Sequence, residues 1–323
     1  MKALVCRAFG SDLSTLRFED APLPALGDGE VRVRIRAASV NFPDLLMTEG
    51  KYQFRPEPPY IVGGEMAGDV VAVGASVTRF KPGDRVVGGG LTGGFAEEVQ
   101  RPEAAMRALP EGSDYATAAA FTAAYITAYV ALVRRAEIAP GAWLLVHGAA
   151  GGVGLAAVDL GKHLGARVIA TASTEVKRDF LKSYRADVVL PSSGFRDDVK
   201  ELTSGRGADV IYDPVGGDVF DESVRCIAFD GRLLVVGFTS GRIPSIAVNM
   251  PLIKGFSVVG VRAGEYGRHF PEKGRENIAA IDRLLSEKKI HPHICARYPL
   301  AGAIDAMRLM QERKVIGKVV IEP

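Results

Sequence analysis

The residues best suited to chemistry form one short run, Ala149-Ala150-Gly151-Gly152-Val153-Gly154. It is an A-x-G-x-x-G variant of the dinucleotide fingerprint, set between an apolar stretch, Trp143–His147, and a helix-like one, Leu155–Leu164. Glycines at this spacing allow a tight turn and bring a helix N-terminus up to a pyrophosphate, where free N–H groups and the helix dipole favour negative charge. Further along, Val168–Ala172 reads as the second strand, and the position that would meet the adenine ribose falls at Ser173. Lys177 and Arg178 follow. A hydroxyl and two cations suit a 2′-phosphate, which a carboxylate would repel, so the pattern favours NADPH over NADH. A register two residues longer would instead bring Glu175 to the acidic position.

Other templates fail. There is no G-x-S-x-G elbow, and Gly161-Lys162 is followed by His163 and lacks the preceding glycine of a P-loop. His147, at a strand end beside the glycine turn, is expected to bond to backbone and not to act in catalysis. His291-Pro292-His293 has no further ligands at metal spacing and reads as a surface turn. Cys6, Cys226 and Cys295 are scattered, which argues against a disulfide framework and for a reducing, cytoplasmic setting.

The elements that must hold these residues divide the chain in two styles. Short strands such as Met1–Ala8, Glu30–Val40, Met66–Val73 and Asp84–Gly88, punctuated by proline and glycine, suggest an all-β region. An Ala-rich helical stretch runs from Tyr115 to about Arg135. Apolar runs at Trp143–His147, Val168–Ala172, Val188–Leu190, Val210–Tyr212, Leu233–Val236 and Ser257–Val261 then alternate with helix-like sequence, the rhythm of a doubly wound parallel sheet. Helical patterns at Asn277–Glu287 and Ala301–Glu312 precede a last strand, Lys318–Ile321, in a tail expected to complete the N-terminal domain.

A chain of 323 residues fits two domains. Its 47% apolar and 24% charged residues are ordinary for a globular enzyme, and a net charge of +2 gives no case for nucleic acid. No uninterrupted apolar run reaches the length of a membrane helix, so no membrane partner is expected.

Taken with Asn41-Phe42-Pro43-Asp44, Gly50-Lys51-Tyr52, Gly63-Gly64-Glu65-Met66-Ala67-Gly68, Thr127-Ala128-Tyr129 and Gly231-Arg232-Leu233-Leu234-Val235-Val236-Gly237, the whole chain resembles the zinc-free quinone oxidoreductase branch, zeta-crystallin among them, of the medium-chain dehydrogenases/reductases. The resemblance implies an α/β protein: a GroES-like catalytic domain at 1–122, an NADP-binding Rossmann domain at 123–263, and a C-terminal return to the catalytic domain at 264–323. Where zinc-dependent members carry cysteine and histidine ligands, this chain has Asn41 and Gly64, and Gly88–Val99 has none of the cysteines of a structural zinc lobe. Tetrahedral zinc is therefore not expected. By resemblance, Tyr52 and Thr127 approach the nicotinamide and phosphate ends of the cofactor. Ala150, Gly151, Gly152 and Val153 hold the pyrophosphate, while Ser173 and Lys177 hold the 2′-phosphate. Gly217, Val236, Gly237, Phe238, Thr239, Val259, Gly260 and Val261 line the nicotinamide half, with Lys318 nearby. Pro191-Ser192 replaces a tyrosine that related enzymes place near the adenine ribose phosphate.

Without a metal, hydride transfer suits an acceptor whose own carbonyl takes up the developing charge, a quinone or an α,β-unsaturated carbonyl compound. The candidate catalytic residues are Asn41, an amide donor, Asp44, and Tyr52, a phenol donor; a turn cap, a helix start and cofactor stacking are their structural alternatives. A short enoyl-CoA thioester is the other substrate class considered, with Arg262, Arg268, Lys51 and Arg55 as a basic rim and pairing with Glu265 as the structural alternative. A third reading is an NADPH-binding structural or RNA-binding protein. A homodimer paired along Rossmann-sheet edges near Gly241–Ser257 completes the expectations.

Overall fold

The structure, a computed structural model, describes Met1–Pro323. The β-rich part runs β1 (Lys2–Cys6), β2 (Leu16–Asp20), β3 (Glu30–Val40), α1 (Phe42–Thr48), β4 (Tyr60–Ile61), β5 (Glu65–Val73), β6 (Arg85–Gly89), β7 (Glu98–Pro102), β8 (Met106–Ala108) and α2 (Tyr115–Tyr129). Next come β9 (Trp143–Val146), α3 (Gly152–His163), β10 (Arg167–Ala172), α4 (Glu175–Ser183), β11 (Val188–Pro191), α5 (Arg196–Leu202), β12 (Ala208–Asp213), α6 (Gly217–Ser223), β13 (Ile227–Val235), α7 (Asn249–Lys254), β14 (Ser257–Gly260), α8 (Ala263–His269) and α9 (Pro271–Ser286). The chain ends with β15 (Ile294–Pro299), α10 (Ala303–Gln311) and β16 (Lys318–Glu322).

Two units result, Met1–Thr122 with Pro292–Pro323, and Ala123–His291. In the first, β3 is the spine. Along one edge it pairs with β7 through Glu30–Arg34 and with β16 through Ala38–Val40; along the other it pairs with β5. The alternation of buried and outward residues along β3, Val31, Val33 and Ile35 against Arg32, Arg34 and Arg36, is the two-residue period of a half-covered sheet. Antiparallel addition of β16 brings Lys318, at its start, to the end of β3 that leads into Asn41.

In the second unit six parallel strands stand in the order β11-β10-β9-β12-β13-β14. Chain order reverses between β9 and β12, the crevice where such sheets bind ligands at their carboxyl ends. The central strands β9, β10 and β12 are short apolar runs buried on both faces, as a sheet covered by helices on both sides requires.

The return to the first unit comes at Pro292, not at residue 264. Residues 264–291 stay with the second unit because α9 is anchored there. Arg134 Nε donates to Asn277 Oδ1 at 2.8 Å, and Ile281 and Leu284 are buried. A buried carboxylate holds the end of the segment. Asp159, on α3, accepts from Tyr125 Oη (2.7 Å), Arg185 Nη1 (2.5 Å) and the His291 backbone N–H (2.5 Å). Tyr184 Oη also donates to His291 O at 2.6 Å. His291, exposed at the surface, is thus fastened to α3.

The Ala-rich stretch is one continuous helix, α2 running on into a π-helical turn at Val130–Arg135. By length and composition it is apolar enough to cross a bilayer. Here it is a core helix: Ala116, Ala118, Ala119 and Ala120 pack on Ala37, Ala67, Val87 and Val320.

Candidate active site

In the Ala123–His291 unit the predicted cofactor residues gather at the carboxyl ends of the strands. β9 leads through His147 into Gly148, whose φ of 53° only glycine adopts freely. Gly151 caps α3 and has no side chain to occupy the first-turn N–H groups. A Cβ on Gly154 would stand 2.3 Å from the Gly148 carbonyl oxygen, so the turn closes only around glycine. Ala150, Gly151, Gly152 and Val153 therefore present an open helix N-terminus, the shape and polarity that a pyrophosphate requires.

β10 ends at Ala172 and Ser173 follows, exposed. Thr174 caps α4, accepting the Lys177 N–H on its hydroxyl, and Glu175 is the first residue of that helix. The residue after the strand is thus Ser173, with Lys177 one helical turn on and Arg178 Nη1 donating to Ala172 O at 3.3 Å. Beyond β12, Asp213 organises the next loop, a role the sequence did not disclose. Its Oδ1 accepts the N–H groups of Val215 (2.8 Å) and Gly216 (2.9 Å), and its carbonyl accepts that of Val236 (2.9 Å). Burial pushes its carboxyl upward while those two N–H groups pull it back. Thr239 N donates to Pro214 O and Ser240 N to Val215 O, which zips the loop carrying Gly217 to Val236, Gly237, Phe238 and Thr239. Val261 N bonds Val235 O, adding Val259, Gly260 and Val261 at the next strand end. Thr127, on α2, donates its hydroxyl to Ala123 O at 2.7 Å and keeps only its lone pairs for a ligand.

His147 departs from expectation. Its ring bonds two side-chain hydroxyls, not backbone: Nδ1 lies 2.9 Å from Thr171 Oγ1 and Nε2 lies 2.8 Å from Ser223 Oγ. Ser223 spends its proton on Val219 O, so it accepts from Nε2–H, and Nδ1 accepts from Thr171. Burial pushes the imidazole down to about 3, which keeps it neutral. It ties β9, β10 and α6 together beneath the rim.

The Met1–Thr122 and Pro292–Pro323 unit brings Asn41, Asp44 and Lys318 together and leaves Tyr52 apart, on the loop beyond α1 with no hydrogen bond to the group. Lys318 Nζ donates to Asn41 Oδ1 at 2.6 Å and lies 3.6 Å from Glu65 Oε2. Asn41 Nδ2 donates to Glu65 Oε2 at 2.9 Å and reaches Ser39 O and Oγ at 3.3 Å, and Ser39 Oγ donates to Glu65 Oε2 at 3.0 Å. A donor-only ammonium on one side and an acceptor-only carboxylate on the other fix which way the amide faces. The Asn41 N–H groups are thus turned inward, not offered to a ligand as expected. Asp44, fully buried, closes on the Asn41 backbone N–H at 2.7 Å, a helix-start contact. Burial pushes its carboxyl up to about 7 against the pull of the Asn41 N–H, Lys318 and the Gly64 backbone.

This donor set does not fit tetrahedral zinc. Asn41 offers an amide already bonded twice, Gly64 no side chain, and Glu65 an oxygen that already accepts from Asn41 and Ser39 and has the Lys318 ammonium 3.6 Å away. No group of three His, Cys, Asp or Glu side chains converges elsewhere. Near the expected basic rim, Arg262 and Arg268 both meet Glu265, the former at 3.6 Å, and Lys51 pairs with Glu49 at 2.8 Å.

Residues 27–111 match the alcohol dehydrogenase GroES-like domain and residues 152–282 match the family described as zinc-binding dehydrogenase. The quinone oxidoreductase-like protein 2 homolog of Nematostella vectensis is 39% identical, the alignment covering 99% of this chain and 88% of that protein. Quinone oxidoreductase-like protein 2 of Rattus norvegicus is 34% identical over 99% of this chain and 91% of its own length. The crystal structure of Escherichia coli quinone oxidoreductase complexed with NADPH superposes with a TM-score of 0.92 at 28% identity, covering 100% of both chains. The chain belongs to the quinone oxidoreductase-like family of the medium-chain dehydrogenases/reductases.

Proposed function

We propose that this protein uses NADPH, without a metal, to reduce a quinone or an α,β-unsaturated carbonyl compound. The observation that carries the reading is the rim of the parallel sheet: an open α3 N-terminus at Gly151–Val153, and Ser173 with Lys177, not an acid, immediately past β10. Bound there, NADPH supplies the hydride. The N–H groups of α3 hold its pyrophosphate, Ser173 and Lys177 hold its 2′-phosphate, and the zipped strand-end loops with Thr127 hold the remainder. The E. coli relative's complex with NADPH supports the cofactor, and the relatives' names support the acceptor class.

The pairing of Arg262 and Arg268 with Glu265 weakens the case for an enoyl-CoA, whose phosphates would need those charges. We further propose a homodimer. β14 is an edge strand, and Ile243, Val248, Leu252 and Ile253 beside it stand 71–87% exposed, an apolar edge of the kind that a second copy covers.

The test is NADPH oxidation across quinones, alkenals and enoyl-CoAs, with and without chelator. Turnover of the uncharged acceptors, unaffected by chelator, is expected. Tight NADPH binding with no turnover on the panel would favour a non-catalytic binding protein. Selective turnover of enoyl-CoAs, lost in Arg262→Ala/Arg268→Ala, would favour the thioester reading.

A further inference from the structure

We propose that Lys318 is a catalytic residue: its ammonium, and not the Asn41 amide, receives the charge that develops on the substrate's carbonyl oxygen. The inference rests on the reductase reading and names the group in this chain that stabilises its transition state. Reduction of an enone moves a hydride to the β-carbon and the π electron pair to the carbonyl oxygen, and the enolate then takes a proton from water. The group that matters is a donor aimed at that oxygen, worth most where water is excluded.

The cluster at the end of β3 limits which donor this is. Asn41 is spent, its N–H groups directed to Glu65 and Ser39. Ser39 is fully buried and donates to Glu65. Asp44 faces the Asn41 backbone. Lys318 differs. Its ammonium carries three N–H groups and has one oxygen within hydrogen-bond distance, Asn41 Oδ1 at 2.6 Å; Glu65 at 3.6 Å attracts it without a hydrogen bond. The side chain is 6% exposed, so its charge is little screened. Glu65 and Asn41 hold the ammonium in place, and donors remain for a second oxygen.

Two measurements test this in the full-length protein. The first is binding of 4-nitrophenol, an enolate mimic whose colour reports its ionisation, at a pH where it is neutral in water. Wild type is expected to bind it as the phenolate, and Glu65→Gln, whose ammonium is held by Asn41 alone, to bind it more weakly; Lys318→Met and Lys318→Met/Glu65→Gln are expected to lose at least tenfold of the wild-type signal. The double variant removes the buried uncompensated carboxylate that destabilises the single one. The second is turnover: Lys318→Met lowers kcat/KM for enones about 100-fold, with the NADPH dissociation constant changed less than threefold. Phenolate absent from wild type, or bound equally by all four proteins, overturns the proposal. So does a weakening of NADPH that matches the loss in kcat/KM, since Lys318 would then be a cofactor ligand. Failure of wild type to turn over any acceptor while the phenolate signal still depends on Lys318 would instead overturn the reductase reading.

Discussion

The Gly148 carbonyl oxygen would lie 2.3 Å from a Cβ on Gly154, whereas the same oxygen would lie 3.3 Å from a Cβ on Gly151. The two glycines of one motif are thus unequal. Gly154→Ala is expected to lower stability by about 1–3 kcal/mol through forced displacement of the turn, and to weaken NADPH binding because the α3 N-terminus moves with it. Gly151→Ala should keep stability close to wild type. Thermal melts and NADPH titrations of both variants check the contrast, and equal losses would contradict it.

Lys177→Ala should weaken NADPH about 10- to 100-fold, the range of a charge-assisted bond, and leave NADH nearly unchanged. Only the 2′-phosphate can use that cation. Dissociation constants for both cofactors decide it; parallel losses would remove Lys177 from the phosphate site.

Asp44 and His147 give opposite pH dependences. The Asp44 carboxyl, pushed up to about 7, binds a proton in the folded protein over a range where the unfolded chain has lost it. Its contribution therefore falls as pH rises from about 4 to about 7. The His147 imidazole, pushed down to about 3, stays neutral where the unfolded chain is protonated, so its contribution grows as pH rises from about 3 to about 6.5. Asp44→Asn should leave stability rising more steeply with pH in this range, and His147→Gln should flatten the acid-side loss. Urea melts from pH 4 to pH 8 check both signs.

Leu252→Glu/Ile253→Glu should yield a monomer at micromolar concentration with each unit folded, since both side chains are more than 70% exposed within one chain. Sedimentation reads the mass. A wild type that is already monomeric defeats the dimer proposal.

Much of the second unit was legible from local pattern. The apolar runs at Trp143–His147 and Val168–Ala172 became β9 and β10 with boundaries shifted by a residue, because buried parallel strands are short and uniformly apolar. What was not legible lies in contacts between residues far apart in sequence. Lys318 meets Asn41 across 277 residues, and no periodicity signals that an amide will be spent on a distant lysine. His147 looked like a residue for the backbone because its hydroxyl partners, Thr171 and Ser223, stand in unrelated elements. The change of unit at Pro292 was misplaced for a similar reason. An amphipathic helix such as α9 shows which face is buried and not against what.

The buried carboxylate of Asp159 is satisfied wholly within the second unit. Tyr125, Arg185 and His291, which donate to it, and Tyr184, which holds His291, all fall between Ala123 and His291. A fragment cut at those two points keeps every one of these donors, though the first cut divides α2. Cut at residue 264, where sequence alone would place the boundary, the same fragment loses His291. A fully buried anion then stands short of a donor, at a cost of about 1–3 kcal/mol or more. The joint between the two units falls where one carboxylate finds its last hydrogen-bond donor.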